Sequence, residues 1–323
     1  MSPKPRLQRM AAIRMIALLF FLLWFPGEAQ AREQIMVFHA GSLAVPFAEM
    51  ARAFEEKHPG TKILREAAGS RTCARKITDL KKPCDVMASA DYTVIEELLF
   101  PEHARWNLSF ATNEMAIMHR PDSRYAGEIT AKNWYEILLR EDVEYGHSDP
   151  NSDPCGYRSQ LVWQLAELYY EKPGLYEELR AHCPRKNIRP KETDLIAMLE
   201  VGQIDYVFIY RSVCRQHRMP YVELPDEVNL GSSRHEAFYR KARIEITGKR
   251  PGETITKTGK PMVYGITIPV SAPNPAGAVR FVAFVLGPEG RRIMEKNGQP
   301  PIHPPEATGR ADLLPLPLKN LVR

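Results

Sequence analysis

One structural unit occurs twice in residues 35–77, IMVFHAGSLAVPFAEMARAFEEKHPGTKILREAAGSRTCARKI. In each copy a short run typical of a β-strand ends in Gly-Ser, at Gly41–Ser42 and at Gly69–Ser70, and an amphipathic helix pattern follows. A Gly-Ser turn at the start of a helix directs backbone N–H groups, a hydroxyl and the positive end of the helix dipole toward one point. The sequence therefore predicts that both turns bind an oxyanion.

Strand and helix patterns continue to alternate beyond these turns. Cys73, Ile77 and Leu80 mark one face of the second predicted helix, which leads to a third strand at Asp85–Ser89. Asp91 is placed to cap a third helix. A β-α-β-α-β-α order predicts a parallel sheet whose ligand crevice lies at the carboxyl ends of the strands. Both Gly-Ser turns fall at that edge.

A second set of strand and helix patterns indicates a second lobe. The run Glu114–Met118 carries the chain across to it, and Met262–Pro269 has the pattern of a strand that returns. This path predicts an α/β fold with two lobes, joined by two crossing strands, and a ligand cleft between the lobes. The Pro-rich tail from Pro300 is predicted to be an irregular wrap. The predicted divisions are a signal peptide at 1–31, a first lobe at 32–113 and 265–323, and a second lobe at 114–264.

The first 31 residues have the pattern of a secretory signal peptide. Four basic residues, the last of them Arg14, precede an apolar run of 11 residues, Met15–Phe25. Ala29-Gln-Ala31 then has the pattern of a cleavage site. A transmembrane anchor is the alternative, but about 20 apolar residues are needed to span a bilayer. Because no cysteine follows the apolar run, lipid attachment is not indicated. The sequence predicts a periplasmic protein without a lipid anchor.

The charge of the chain argues against binding to nucleic acid. The whole sequence has a net charge of +5, but the leader carries four basic residues and one acidic residue, so the mature chain keeps only +2. No basic stripe with interleaved aromatic residues remains. We therefore expect a small-molecule ligand and a monomer.

Five cysteines in an exported chain permit disulfides but do not define them. They are Cys73, Cys84, Cys155, Cys183 and Cys214. The count is odd and the spacings match no zinc site, so at least one thiol is free or pairs between chains. The first two lie at opposite ends of one predicted helix and its following loop, which argues against pairing them.

Each candidate site residue also has an ordinary structural explanation. Ser42 and Ser70 are typical N-caps, and Asp153 before a proline is a standard cap as well. Glu192 at the start of a helix is typical of a solvated first-turn carboxylate. Tyr210, which ends a buried strand, fits a core position as well as a hydroxyl donor.

Six segments of the chain resemble the tungstate/molybdate-binding proteins of ABC importers, in the branch best known from archaea. The resemblance covers nearly all of the mature chain. It implies a type II periplasmic-binding-protein fold, capture of molybdate or tungstate, and delivery to the permease and ATPase subunits of an importer in the inner membrane, with no cofactor and no enzymatic activity. The segments are Phe38–Pro46, Arg65–Ser70, Asp85–Tyr92, Asp153–Arg158, Phe208–Tyr210 and Gly259–Pro269.

The resemblance also implies which residues bind the ligand. In that branch two carboxylates join the serine and backbone contacts and complete a six-coordinate metal. The second carboxylate falls on Glu192, with Asp194 as the alternative, and Asp153 and Glu192 would be the two ligands of molybdenum or tungsten. The full implied set is Gly41, Ser42, Ser70, Asp153, Pro154, Cys155, Glu192 and Tyr210.

Carboxylates in an anion site need a physical reason. Two negative charges about 4 Å apart repel by roughly 4 kcal/mol at an effective dielectric constant near 20. A hexavalent molybdenum or tungsten centre, however, accepts carboxylate oxygens as ligands. The same two residues would repel sulfate and phosphate, whose central atoms do not expand their coordination in this way.

Two other functions remain open at this point. One is a receptor for another anion, such as sulfate, phosphate or an iron–anion complex, with Asp153 and Glu192 as ordinary caps. The other is an exported hydrolase that uses Ser42 or Ser70. The sequence has no Gly-x-Ser-x-Gly, Ser-x-x-Lys or His-Glu-x-x-His motif, and the nearest histidine in sequence is His39. We therefore predict that the protein is not an enzyme.

Overall fold

A computed structural model describes residues 33–322, and the predicted signal peptide at 1–31 lies outside them. The chain forms a six-stranded sheet and a five-stranded sheet. We call the first sheet with its helices the first lobe and the second sheet with its helices the second lobe. The predicted two-lobed α/β fold is confirmed.

The first lobe begins with the predicted alternation of strands and helices. The strands are β1 Glu33–Ala40, β2 Thr61–Ala68, β3 Val86–Ser89, β4 Trp106–Thr112, β12 Val263–Thr267 and β13 Pro301–Gly309. They form the sheet in the order β13-β4-β12-β3-β1-β2. Strand β1 pairs in parallel with both β2 and β3, whereas β12 lies antiparallel between β3 and β4. The helices are α1 Ala44–Lys57, α2 Ser70–Thr78, α3 Tyr92–Leu99, α10 Pro275–Leu286, α11 Pro288–Lys296 and α12 Leu316–Lys319.

Two predictions in this lobe need correction. Helix α2 ends at Thr78, and Leu80 is 65% exposed, so it does not share the buried face of Cys73 and Ile77. The tail after Pro300 is not an irregular wrap, because β13 pairs antiparallel with β4. Prolines are tolerated there because β13 is an edge strand and because Pro304 and Pro305 lie between Pro301 and Glu306, where the pairing with β4 is interrupted.

The second lobe is also a mixed sheet with helices between its strands. The strands are β5 Met115–His119, β6 Tyr145–Ser148, β7 Ile188–Arg189, β8 Tyr206–Tyr210 and β9 Tyr221–Glu223. They form the sheet in the order β7-β6-β8-β5-β9, in which β8 is parallel to β6 and antiparallel to β5. The helices are α4 Trp134–Leu138, α5 Pro154–Tyr169, α6 Leu175–His182, α7 Glu192–Glu200, α8 Arg211–His217 and α9 Glu236–Tyr239.

The chain passes between the sheets twice. It goes from β4 to β5 through residues 113–114, and it comes back into the first sheet as β12. The exact lobe boundaries at 113/114 and 264/265 stay a prediction. Before the return, β10 Arg243–Thr247 and β11 Thr254–Thr258 form a separate antiparallel hairpin, which we call the hairpin arm. Within residues 33–322, none of the helices is both long and apolar enough to span a bilayer.

Candidate functional site

The two Gly-Ser turns lie where β1 and β2 end. Ser42 and Ser70 are 1% and 0% exposed, and neither side chain caps a helix. Ser42 Oγ lies 2.9 Å from the hydroxyl oxygen of Tyr264, and Ser70 Oγ accepts a hydrogen bond of 3.0 Å from the backbone N–H of Ala90. The explanation of both serines as ordinary N-caps is therefore wrong.

The glycines of these turns mark a close approach between the lobes. A Cβ atom at Gly41 would lie 2.9 and 3.0 Å from the two carboxylate oxygens of Glu192. A Cβ atom at Gly69 would lie 3.0 Å from Cβ of Asp153 and closer still to the carbonyl oxygen of Ser152. Gly69 has a φ of −55°, so the need for glycine there comes from space rather than from backbone conformation. The second lobe is thus seated directly on both turns.

Asp153 and Glu192 face these turns from the second lobe. Asp153 precedes α5 without capping it, and its Oδ2 instead accepts a hydrogen bond of 3.1 Å from the backbone N–H of Glu192, the first residue of α7. The two residues are 1% and 0% exposed, so Glu192 is not a solvated first-turn carboxylate. The alternative, Asp194, pairs with Lys191 at 3.3 Å and keeps 38% of its side chain exposed.

The two buried carboxyl groups are short of partners. Within residues 33–322, Oδ1 of Asp153 and both carboxylate oxygens of Glu192 make no hydrogen bond of ordinary geometry, although the Ser148 hydroxyl and the backbone N–H of Ser42 lie close enough to lower the pKa of Asp153 and of Glu192, respectively. Burial raises the pKa of Asp153 above its ordinary value. Burial and the nearby charge of Asp153 raise the pKa of Glu192 well above its ordinary value. The pair therefore favours protonation unless a positive centre binds the free oxygens.

Tyr210 adds a hydroxyl group to the same region. Its hydroxyl oxygen accepts a hydrogen bond of 3.0 Å from Nη1 of Arg158, which also donates to the carbonyl oxygen of Ala90 at 2.8 Å. Burial raises the pKa of Tyr210 well above its ordinary value, so the phenol keeps its proton. Because the oxygen already accepts from Arg158, that proton is free to be donated.

Pro154 and Cys155 open helix α5 beside Asp153. Pro154 occupies the first helical position, where the missing N–H has no cost. The Cys155 thiol is buried and donates to the carbonyl oxygen of Phe208 at 3.5 Å, and burial raises its pKa well above its ordinary value. The thiol therefore stays protonated and faces the strand rather than acting as a metal ligand. All five cysteines are buried free thiols.

The sequence of the chain matches a family model described as bacterial extracellular solute-binding protein, over residues 35–299. The chain belongs to this family. Because the family consists of solute-binding proteins, the prediction that the protein is not an enzyme is confirmed. The Ser42 hydroxyl is bonded to a tyrosine and the His39 ring to the carbonyl oxygen of Ala40, so neither group forms a Ser-His pair with the other.

Relatives and a solved structure agree with this family. A chain from Petrotoga mobilis, named an uncharacterized solute-binding protein, is 63% identical over 84% of this chain and 85% of its own length. A chain from Thermococcus kodakarensis, named molybdate/tungstate-binding protein WtpA, is 42% identical over 92% of this chain and 89% of its own. The periplasmic molybdate-binding protein of Azotobacter vinelandii is 16% identical with a TM-score of 0.59, covering 82% of this chain and 98% of that one. The last similarity shows the fold alone.

In this solute-binding protein the hairpin arm extends from the second lobe onto α2 and α3 of the first. Lys257 of β11 is 5% exposed, and its Nζ lies 2.7 Å from both Oγ1 of Thr93 and Oε1 of Glu97. Buried Arg71, next to Ser70, donates to the backbone carbonyl groups of Asn151 and Thr247. These contacts fasten the lobes together beside the Gly-Ser turn of α2.

The sequence patterns did not single out Ser148 and Arg158, which lie beside the candidate site residues. Ser148 ends β6, is fully buried, and its hydroxyl oxygen has no hydrogen-bond partner within the described chain. It lies close enough to Asp153 and Cys155 to affect the pKa of each. Ser148, like Ser42, carries a hydroxyl at the carboxyl end of a strand. The sequence patterns did not predict β6, so they gave no reason to select Ser148.

The assembled site combines hydroxyl donors from both lobes with two carboxyl groups from the second lobe. In the part of the chain that the structure describes, no group of three or more His, Cys, Asp or Glu side chains is arranged to hold a metal ion. Asp153 and Glu192 are therefore only a pair, and a metal bound there has to bring further oxygen ligands with it. A metal oxyanion has this composition.

Proposed function

We propose that this solute-binding protein captures molybdate or tungstate outside the cytoplasm and delivers it to the permease and ATPase of an ABC importer. The observation that carries the proposal is the pair of fully buried carboxyl groups, Asp153 and Glu192, with three unpartnered oxygens beside two Gly-Ser turns. The proposed binding set is Gly41, Ser42, Ser70, Asp153, Pro154, Cys155, Glu192 and Tyr210.

The charges favour a metal oxyanion over a simple one. The hydroxyls of Ser42, Ser70 and Tyr210 and the backbone N–H groups of the turns suit oxyanion oxygens. The carboxylates would repel those same oxygens, by roughly 4 kcal/mol for two unit charges at about 4 Å. They become favourable only when they bind the central atom, as a hard and highly charged metal allows. Molybdate and tungstate meet both conditions.

Relatives support the same ligand. The chains of Thermococcus kodakarensis and of Pyrococcus abyssi, 42% and 41% identical to this one, are both named molybdate/tungstate-binding protein WtpA. The periplasmic location, cleavage after Ala31, the lack of a lipid anchor and the monomeric state are parts of the proposal. The predicted leader and the extracellular family support the location.

Titration calorimetry tests this proposal. The ligand-free protein is titrated with tungstate, molybdate, sulfate and phosphate at equal ionic strength. We expect tight binding of the two metal oxyanions and none of sulfate or phosphate. Asp153→Ala and Glu192→Ala should each weaken tungstate binding by several kcal/mol, whereas loss of a simple helix cap would cost only about 1 kcal/mol of stability. Binding of sulfate or phosphate at low micromolar concentration would contradict the proposal.

A further inference from the structure

A chain of polar side chains connects Ser42 with both segments that join the lobes. Ser42 Oγ lies 2.9 Å from the Tyr264 hydroxyl oxygen, which is also 2.9 Å from Nδ2 of Asn113. Asn113 lies between β4 and β5, and Tyr264 belongs to the returning strand β12. Nδ2 of Asn113 also donates to the hydroxyl of Ser212 in helix α8, at 2.7 Å. All four residues are buried.

The orientation of the Asn113 amide is fixed by its surroundings. Its Oδ1 accepts hydrogen bonds from the backbone N–H of Glu114 at 3.0 Å and from that of Ser212 at 3.4 Å. A flipped amide would place its NH₂ group against these two donors. The group that faces the Tyr264 hydroxyl is therefore Nδ2, and it can only donate.

This donor determines where the Tyr264 proton goes. Burial raises the pKa of Tyr264 to about 12, so the phenol is neutral and carries one proton. A fully buried hydroxyl proton needs an acceptor. Asn113 offers only N–H there, and Oε1 of the nearby Gln299 accepts no hydrogen bond within the described chain, so Ser42 Oγ is the acceptor that Tyr264 has. The reverse direction would leave the Tyr264 proton unpaired away from the ligand, whereas this direction leaves the Ser42 proton for a bound oxyanion to accept. The proton of Ser42 is then left with no acceptor among the residues that the structure describes.

Ser70 and Tyr210 show the same arrangement with different donors. Ser70 Oγ accepts from the backbone N–H of Ala90, and the Tyr210 hydroxyl oxygen accepts from Arg158. In each case a protein donor occupies the oxygen, and the hydroxyl proton is left over. A fully deprotonated oxyanion offers only acceptors, so three hydroxyl protons that have no acceptor in the protein match it.

We propose that Asn113 and Tyr264 are positioning residues, which fix the direction of the Tyr264–Ser42 hydrogen bond so that Ser42 donates its proton to the bound oxyanion. This inference rests on the proposed function, because it takes the oxyanion as the acceptor. It assigns a binding role to two residues of the crossing segments that do not themselves touch the ligand.

Two variants, each made with and without the Ser42 hydroxyl, test the direction of the Tyr264–Ser42 hydrogen bond. Tyr264→Phe removes the donor to Ser42, and Asn113→Asp replaces Nδ2 by an acceptor that draws the Tyr264 proton away. In the second variant Ser42 has to donate to Tyr264 and loses its proton for the ligand. A hydrogen bond to a charged group contributes about 1.5–3 kcal/mol, so we expect tungstate affinity to fall about tenfold to a hundredfold.

The same substitutions in a Ser42→Ala background separate positioning from other effects. There, Tyr264→Phe should change tungstate affinity less than about twofold, and the residual effect of Asn113→Asp measures the added charge alone. Tyr145→Phe is the matched control, since that buried hydroxyl donates to the carbonyl oxygen of Leu179 outside the site. It should leave tungstate affinity unchanged even if stability falls.

The outcomes distinguish this inference from the proposed function. Tungstate binding by the wild type with unchanged affinity in both single variants overturns the positioning role alone. Full and equal effects of Tyr264→Phe with and without the Ser42 hydroxyl also overturn it, because Tyr264 would then act independently of Ser42. A wild-type protein that binds neither tungstate nor molybdate overturns both. Circular dichroism of each variant verifies that the affinities refer to folded protein.

Discussion

The buried carboxyl pair predicts an unusual dependence of ligand-free stability on pH. Glu192 has a pKa well above its ordinary value of 4.5 in the folded protein, because burial and the charge of Asp153 disfavour ionisation. The folded state therefore holds a proton that the unfolded state releases as the pH rises through that value. The free energy of unfolding should fall with rising pH, by about 1.4 kcal/mol per pH unit, until the folded pKa is reached.

Glu192→Gln isolates this effect. Glutamine has nearly the same shape but does not titrate, so the wild type should lose stability relative to the variant as the pH rises above 4.5. Burial lowers the pKa values of His39 and His147 to about 4, so these histidines make the protein more stable as the pH rises. Their contribution is the same in both proteins and cancels when the free energies of unfolding of wild type and variant are subtracted. Urea unfolding of both ligand-free proteins at pH 5, 6 and 7 measures this difference. A difference that stays constant over this range, or that grows in favour of the wild type, would show that folded Glu192 does not hold the extra proton.

Three further predictions concern closure and acid stability. Gly41→Ala places a methyl group 2.9 Å from a carboxylate oxygen of Glu192, so calorimetry should show at least a tenfold loss of tungstate affinity. Gly127→Ala is the control, since a Cβ atom there meets no other atom within 4 Å, and it should leave the affinity unchanged. Lys257→Met removes the contact of the hairpin arm with Glu97, in which the lysine is buried and the glutamate partly exposed, and should speed tungstate dissociation about tenfold in stopped-flow experiments. Lys296→Met, from a more exposed pair within the first lobe, should leave the dissociation rate unchanged. His147→Gln should raise stability at pH 4 by about 3 kcal/mol relative to pH 7, because the folded wild type excludes a proton that its unfolded chain binds below pH 6.5. An unchanged acid unfolding midpoint would contradict the last prediction.

Local patterns predicted most of the first lobe. The strand and helix of the first unit appear as β1 and α1, and Asp91 caps α3 by accepting from the backbone N–H of Thr93. Such features depend on periodicity and on residues a few positions apart. The pairing of β13 with β4 depends on residues nearly 200 positions apart, so the composition of the Pro-rich tail gave no indication of it.

The site was less accessible to sequence reasoning for the same reason. The position of Ser42 and Ser70 at strand ends identified both serines as candidates. The hydrogen-bond partner of Ser42, however, is Tyr264, 222 positions away. Local sequence could not show this contact, so a role of Ser42 as a helix N-cap remained possible. Glu192 followed only from the family resemblance, since a glutamate in the first turn of a helix is ordinarily solvated. Its complete burial arises from the seating of the second lobe on Gly41, a contact that only the folded chain contains.

In the proposed site, Asp153 and Glu192 bind the metal of the oxyanion directly. X-ray absorption at the tungsten edge of the tungstate-loaded protein tests it. We expect six oxygen neighbours, four at short distance and two at longer distance, with the longer pair lost in the Asp153→Ala, Glu192→Ala double variant. A spectrum of the wild type with four short oxygens and no longer pair would show that the two carboxylates are not ligands of the metal.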